Sequence, residues 1–301
     1  MIAPFCITLD CDSLTEHHAV WGLPPPSKTE VESFFLRSLE QAFQWLQDRH
    51  LKATFFITGG RLTEPVWRLL LRIAGEGHEL ANHTLSHPYD LGRLSADAVF
   101  DEIRKNHELI LARGLRCRGL RTPGYHLPPQ ALPALDQLDY LYSSSQITGW
   151  VYPTAKWVTA LSLRLRGRTT KTVMHPVSDW WTPPEPYHPD PATPGRAGSA
   201  RIWEIPIGAG RWGLPTVGPL IHACPLPALF DTPVSRPWVM NLHLTDFTPD
   251  TPHGDLARVD FMLRIPAARR LTALDRILDR ARAQGRPFET MAAFAARLNE
   301  T

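Results

Sequence analysis

Short β-rich runs separated by segments of helical period recur along this chain, and that alternation restricts its fold more than any other feature. Such runs occur at 5–9, 53–57, 118–122, 140–143, 202–206 and 239–243, with a shorter one at 79–82 that precedes a loop. Between the first two, apolar residues at Val31, Phe35, Leu39, Phe43 and Leu46 recur at helical spacing. A capping box is expected in front of them, with Thr29 capping and Glu32 reaching back. Pro65 opens a helix that runs to Gly75. Ser95 caps a charged amphipathic helix that Gly114 ends, and 271–284 is a late helix stopped by Gly285. Strand–helix alternation of this kind predicts a parallel sheet with helices outside it. The 301 residues suit one such unit. A single domain over 1–301 is therefore expected. The stretch 166–200, rich in Pro, Gly, Thr and Trp, breaks the rhythm and reads as a long excursion from the barrel.

Charge narrows the function classes. The formal net charge is +2 and the pI is near 8.4, which gives no electrostatic footprint for nucleic acid. Aliphatic runs are short, and none reaches the roughly 20 residues of a membrane-spanning helix. No basic segment followed by a long apolar stretch opens the chain, so no signal peptide and a cytoplasmic location are expected. Cys6, Cys11, Cys117 and Cys224 form no C-x-x-C pair, which predicts reduced, mostly buried thiols. A homo-oligomer is compatible with this composition.

Two groups of residues carry chemistry. Asp10 and Asp12 flank Cys11 at the end of the first β-rich run. Residues two apart on a strand point to one face, so both carboxylates could serve one site. Taken alone, the pair is better read as capping or turn carboxylates at the strand end. His83 and His87 stand four apart in Asn82-His83-Thr84-Leu85-Ser86-His87-Pro88. Two such imidazoles can share a metal if the segment is a helical turn or tight loop, and two His with one Asp leave positions open for water and substrate. The alternative is a pair of unrelated surface histidines in a chain with 13. His17, His18, His78, His107, His175 and His253 are assigned to that second class.

Order and context make these groups specific. Asp-x-Asp is followed by Ala53-Thr54-Phe55-Phe56-Ile57, then by the His83–His87 run, then by Arg121-Thr122-Pro123-Gly124-Tyr125, and finally by Met240-Asn241-Leu242-His243. This ordered set resembles the polysaccharide deacetylases of the NodB-homology type, carbohydrate esterase family 4, from about residue 5 to about residue 250. The resemblance implies a distorted (β/α) barrel of about seven strands and one divalent metal, with zinc the first choice and nickel or cobalt also suited. It implies Asp12, His83 and His87 as metal ligands, Asp10 as general base and Arg121 as its partner. It further implies His243 as general acid, across the metal from Asp10, and Tyr125 as an oxyanion-hole donor through its backbone N–H.

Departures from the family pattern widen the substrate range. The first motif is Thr8-Leu9-Asp10-Cys11-Asp12-Ser13, with one residue between the carboxylates, as in a branch that includes cyclic-amide hydrolases. Removal of acetyl from an N-acetylated sugar or glycan is the expected reaction. A deformylase, a cyclic-amide amidohydrolase and a non-catalytic metal-binding protein are the alternatives. Ten Trp residues favour a sugar, because aromatic faces stack on pyranose rings. Asp179-Trp180-Trp181 is given no catalytic role. Asp246 reads either as an orienting partner of His243 or as a turn carboxylate.

Overall fold

The computed structural model describes residues 2–165, 177–210, 213–249 and 254–300. Its centre is a seven-stranded parallel sheet. The strands are β1 (Phe5–Cys11), β2 (Thr54–Ile57), β3 (Glu79–Asn82), β4 (Gly119–Leu120), β5 (Tyr142–Ser143), β6 (Trp203–Glu204) and β7 (Trp238–His243), in the order β6-β5-β4-β3-β2-β1-β7. This is the parallel α/β architecture that the alternation predicts, curled and seven-stranded as the family resemblance implies. β1 lies at the middle of the longest pairings. It meets β2 through Asp10↔Phe56 and β7 through Thr8↔Asn241 and Asp10↔His243. The free edge of β7 is met in turn by an irregular segment, through a parallel bridge between Val217 and Asn241.

Helices α1 (Leu14–Val20), α2 (Lys28–Gln47), α3 (Glu64–Gly75), α4 (Ala96–Leu111), α5 (Ala131–Gln137), α6 (Val151–Leu165), α7 (Gly218–Ala223), α8 (Gly254–Val259), α9 (Ala267–Ala283) and α10 (Met291–Leu298) surround the sheet. α2 begins two residues before the position that Thr29 would cap. Ser27 is the actual cap, its hydroxyl accepting from Glu30 N while the Glu30 carboxylate accepts from Ser27 N at 2.8 Å. Both Ser27-x-x-Glu30 and Thr29-x-x-Glu32 satisfy the pattern. The sequence Pro24-Pro25-Pro26 ends immediately before Ser27, so the earlier box takes the first available turn. Buried Phe35, Leu39, Phe43 and Leu46 form the inward stripe that the spacing predicts. α6 is an element the sequence reading did not assign. Its Trp157, Val158, Leu161 and Leu165 are exposed, so no inward apolar stripe announces it.

The excursion divides. Residues 166–176 lie outside the described set. The remainder folds back onto β6, where Tyr187 N donates to Glu204 O at 3.0 Å and Glu204 N to Tyr187 O at 2.7 Å. Glu204 itself is fully buried. One carboxylate oxygen accepts from Ser145 N and Gln146 N, both at 2.8 Å, and the other has no hydrogen-bond partner. Burial pushes this carboxyl up to about 7, which the Ser143 hydroxyl and the two backbone donors only partly oppose. A raised folded pKa means that the fold prefers the protonated acid. The contribution is therefore complete below the unfolded value and is lost as pH rises through about 7. Glu204→Gln should remove this dependence. In urea melts the variant should gain on the parent between pH 5 and pH 8 by up to about 3 kcal/mol, and parallel pH profiles would show that Glu204 is not held neutral.

Candidate metal and catalytic site

The carboxyl ends of the strands carry the site, as is general for parallel α/β barrels. Asp12 follows β1 directly. Its Oδ1 lies 3.2 Å from His83 Nε2 and 3.2 Å from His87 Nε2, and all three residues are buried. One ligand atom from each falls within 4.8 Å of the others. Ligands at zinc distances of about 2.0–2.1 Å around a tetrahedron stand roughly 3.3 Å apart, so these spacings match the edges of such a site. Asp12 Oδ1 has no hydrogen-bond donor aimed at it despite its burial. His83 Nδ1 lies 2.7 Å from Arg121 O. The proton on that nitrogen then leaves the Nε2 lone pair facing Asp12, the arrangement metal-ligating imidazoles use. These observations fit a divalent cation. Burial raises the Asp12 carboxyl, but His87 and His83 beside it more than offset that and hold it well below the usual range.

The loop between the two histidines is shaped against its own backbone preferences. Thr84 and His87 take φ of +66° and +57°, in the left-handed region that L residues seldom occupy. Local polar groups hold it there. Asn82 Oδ1 accepts from Thr84 N at 2.7 Å, and Thr84 Oγ1 accepts from His87 N at 3.2 Å. Asn106 Nδ2 on α4 donates to Asn82 Oδ1 at 2.8 Å, while Glu102 accepts from Ser86 N at 2.9 Å. Gly60 N donates to Leu85 O at 2.8 Å, an approach that a Cβ at Gly60 would block at 2.5 Å. The spacing His-x-x-x-His therefore works here as a tight loop, not a helical turn.

Beside the triad, Asp10 is paired with Arg121. Arg121 Nη1 donates to Asp10 Oδ1 at 2.7 Å, and the side chains are 0% and 1% exposed. Burial raises the Asp10 carboxyl; Arg121, with His83 and His243, reverses this and keeps it below the ordinary value. The remaining oxygen, Oδ2, accepts from Asn241 Nδ2 at 3.2 Å and from the Tyr125 hydroxyl at 3.1 Å. That hydroxyl also lies 3.0 Å from His243 Nε2. His243 Nε2 stands 3.8 Å from both Asp10 Oδ2 and Asp12 Oδ2. Asp10 and His243 are thus register partners on adjacent strands, closer than an arrangement across a metal would place them. Tyr125, at φ +61°, reaches the site through its phenol.

Several contributors were given no role in the sequence analysis. Asn241 and Thr8 face inward because they lie two residues before His243 and Asp10 on their strands, a signal that period-two reading supplies. His17, assigned to the surface class, has its ring 6.1 Å from that of His243, and burial lowers it to about 4. His78 and His107 are buried structural residues; His18 is half-buried, and His175 and His253 lie outside the described residues. Asp179 lies 2.6 Å from His126 Nδ1, away from the triad. Asp246 accepts from His243 N at 2.6 Å through Oδ2, while Oδ1 lies 2.6 Å from His222 Nε2. It therefore caps the turn after β7 and fixes the His243 backbone, while Nε2 of the ring faces the Tyr125 hydroxyl. Cys11 is buried and all four cysteines are free.

Comparison with known proteins follows the same stretch of chain. The family profile described as polysaccharide deacetylase matches residues 37–143. A chitooligosaccharide deacetylase of Rhizobium leguminosarum bv. trifolii is 38% identical over 72 residues, 24% of this chain and 33% of the relative. A peptidoglycan-N-acetylglucosamine deacetylase of Bacillus cereus is 30% identical over 151 residues, 48% and 52% of the two chains. The chain thus spans about a third to a half of the length of these relatives. A crystal structure from Mycobacterium smegmatis, described as a polysaccharide deacetylase, superposes with a TM-score of 0.57 at 16% identity, over 99% of this chain and 94% of that one. At that identity the likeness concerns the fold.

The polar loop scaffold generates a test. Asn82→Ala removes the acceptor for Thr84 N and the donor to Tyr140 Oη and Ile103 O. Divalent-ion affinity measured by calorimetry should fall roughly 10–100-fold. Unchanged affinity would mean that the His83–His87 loop holds its shape without Asn82.

Proposed function

We propose that this chain is a metal-dependent hydrolase of the polysaccharide deacetylase type, one that removes acetyl groups from N-acetylated sugars. The observation that carries the reading is the convergence of the Asp12–His83–His87 triad with Asp10, Arg121 and His243 at one end of the sheet. A binding module would need the triad alone. The additional buried ion pair and the adjacent imidazole serve proton transfer. The names of the two relatives above support an N-acetylated amino sugar as the substrate class.

In this reading Asp12, His83 and His87 hold the ion, and two imidazole nitrogens with one carboxylate oxygen favour zinc, with nickel or cobalt next. Such an ion supplies Lewis-acid polarisation of the amide carbonyl and makes water easier to deprotonate. Asp10, held ionised by Arg121, takes the proton from the attacking water. Asn241 and the Tyr125 hydroxyl fix the oxygen that does so. The Tyr125 backbone N–H is the donor assigned to the developing oxyanion. His243 Nε2 protonates the departing amine, with Asp246 fixing the backbone from which that ring projects. We place the activity in the cytoplasm, a reading supported by four cysteines without a disulfide.

An amide nitrogen leaves only when protonated, whereas an activated ester does not need that proton. Zinc-loaded protein should release acetate from N-acetylglucosamine oligomers, and His243→Ala should lower kcat on them by roughly 10²–10⁴. Hydrolysis of an activated acetate ester by the same variant should fall far less. If both substrates slow by one factor, His243 is not the acid; if the parent releases no acetate from the oligomers, the deacetylase reading fails.

A further inference from the structure

We infer that the outward face of α6 is a docking surface for an anionic lipid bilayer. The helix is amphipathic in the reverse of the usual sense. Tyr152 and Lys156, one turn apart, face the protein. Tyr152 packs edge-on against Tyr125 with ring centroids 5.4 Å apart, and Lys156 Nζ donates to Gly124 O at 3.2 Å. On the other side Trp157, Val158, Leu161 and Leu165 are 55%, 63%, 56% and 80% exposed. At about 100° per residue these four fall within an arc of roughly 100°. Folded proteins seldom leave such a contiguous large-apolar stripe in water, and one that persists marks an interaction surface.

Charge identifies the occupant. Between Asp139 and Asp179 the sequence contains no Asp or Glu, while beside the inward-facing Lys156 it carries Arg164, Arg166, Arg168 and Lys171. The chain as a whole is nearly neutral at +2, so the basic excess is concentrated in this stretch. Exposed Arg164 stands in the last turn of α6, on the same side as the apolar stripe. A helix with Trp, Leu and an exposed Arg on its free face, continued in the sequence by further basic residues, has the composition of one that lies in a bilayer interface. A second copy of this chain would offer the same positive charge in return, and like charges disfavour that pairing. No helix among the described residues is long and apolar enough to cross a membrane, so the contact would be peripheral. The inner face of the same helix abuts Tyr125 and Gly124. Docking therefore sets the Asp10–His243 site one helix width from the lipid surface.

Sedimentation of the full chain with vesicles tests this without reference to enzyme activity. The protein should pellet with vesicles of phosphatidylcholine mixed with phosphatidylglycerol and remain in solution with phosphatidylcholine alone. Added salt should weaken the binding. The Trp157→Glu/Leu161→Glu variant should bind the mixed vesicles at least about tenfold less, with an unchanged thermal midpoint, because both positions are exposed. Absence of binding by the parent chain overturns the inference, as does undiminished binding by the variant. A parent chain that is dimeric by analytical ultracentrifugation, made monomeric by the variant and indifferent to vesicles, also overturns it.

Discussion

The buried ion pair between Arg121 and Asp10 is the constraint around which the site is arranged. A guanidinium with no solvent exposure is tolerable only when its donors are paired. Here Nε and Nη2 donate to Ser144 O and Oγ at 2.7 and 2.8 Å. Nη1 reaches Asp10, Thr8 and Asn241. The guanidinium carbon lies 4.1 Å from the centre of the Phe56 ring, within cation–π range. One side chain thus joins the ends of β1, β2, β4, β5 and β7. Removing either charge would leave the other uncompensated in the interior. The same network that keeps Asp10 ionised also fixes the strand ends from which Asp12 and His243 project.

Much of this was legible in the sequence because it rests on local rules. Period-two alternation places Asp10 beside Asp12's face, and seven short runs spaced by helices give the sheet. The His83–His87 spacing gives two ligands. What stayed hidden depends on partners distant in sequence. Asn241 sits inside a quoted motif, yet its role appears only when register sets it opposite Thr8 and within reach of Arg121. The Tyr125 phenol enters the site because Gly124 and Tyr125 both adopt left-handed backbone, at φ +74° and +61°. Pro123-Gly124 marks a turn, but nothing in the residue types places left-handed backbone at Tyr125. Thr29 was a plausible cap by pattern, and only the competing box at Ser27 decided otherwise. α6 was unread because burial periodicity assumes that apolar residues point inward.

Strain and exposure concentrate around the same site. Among the described residues, three of the five non-glycine residues with positive φ are Thr84, His87 and Tyr125, each beside the triad or the ion pair. Left-handed backbone persists at such residues only when surrounding contacts over-determine it. The strapping of the His83–His87 loop to α4, through Glu102 and Asn106, supplies those contacts. The fold is thus held rigid where ligand geometry matters and leaves a stripe of exposed apolar side chains on α6, whose inner face abuts Tyr125.

The central claim is the division of labour between two carboxylates separated by a single cysteine. Cobalt(II) titration followed by visible absorption reads it directly, because tetrahedral and octahedral cobalt absorb differently. The parent chain should bind one ion per molecule with a tetrahedral-type spectrum. Asp10→Asn should bind it with nearly the same affinity, whereas Asp12→Asn should lose at least about tenfold. Equal loss in the two variants, or retention in both, would contradict the assignment of Asp12 to the metal and Asp10 to the proton.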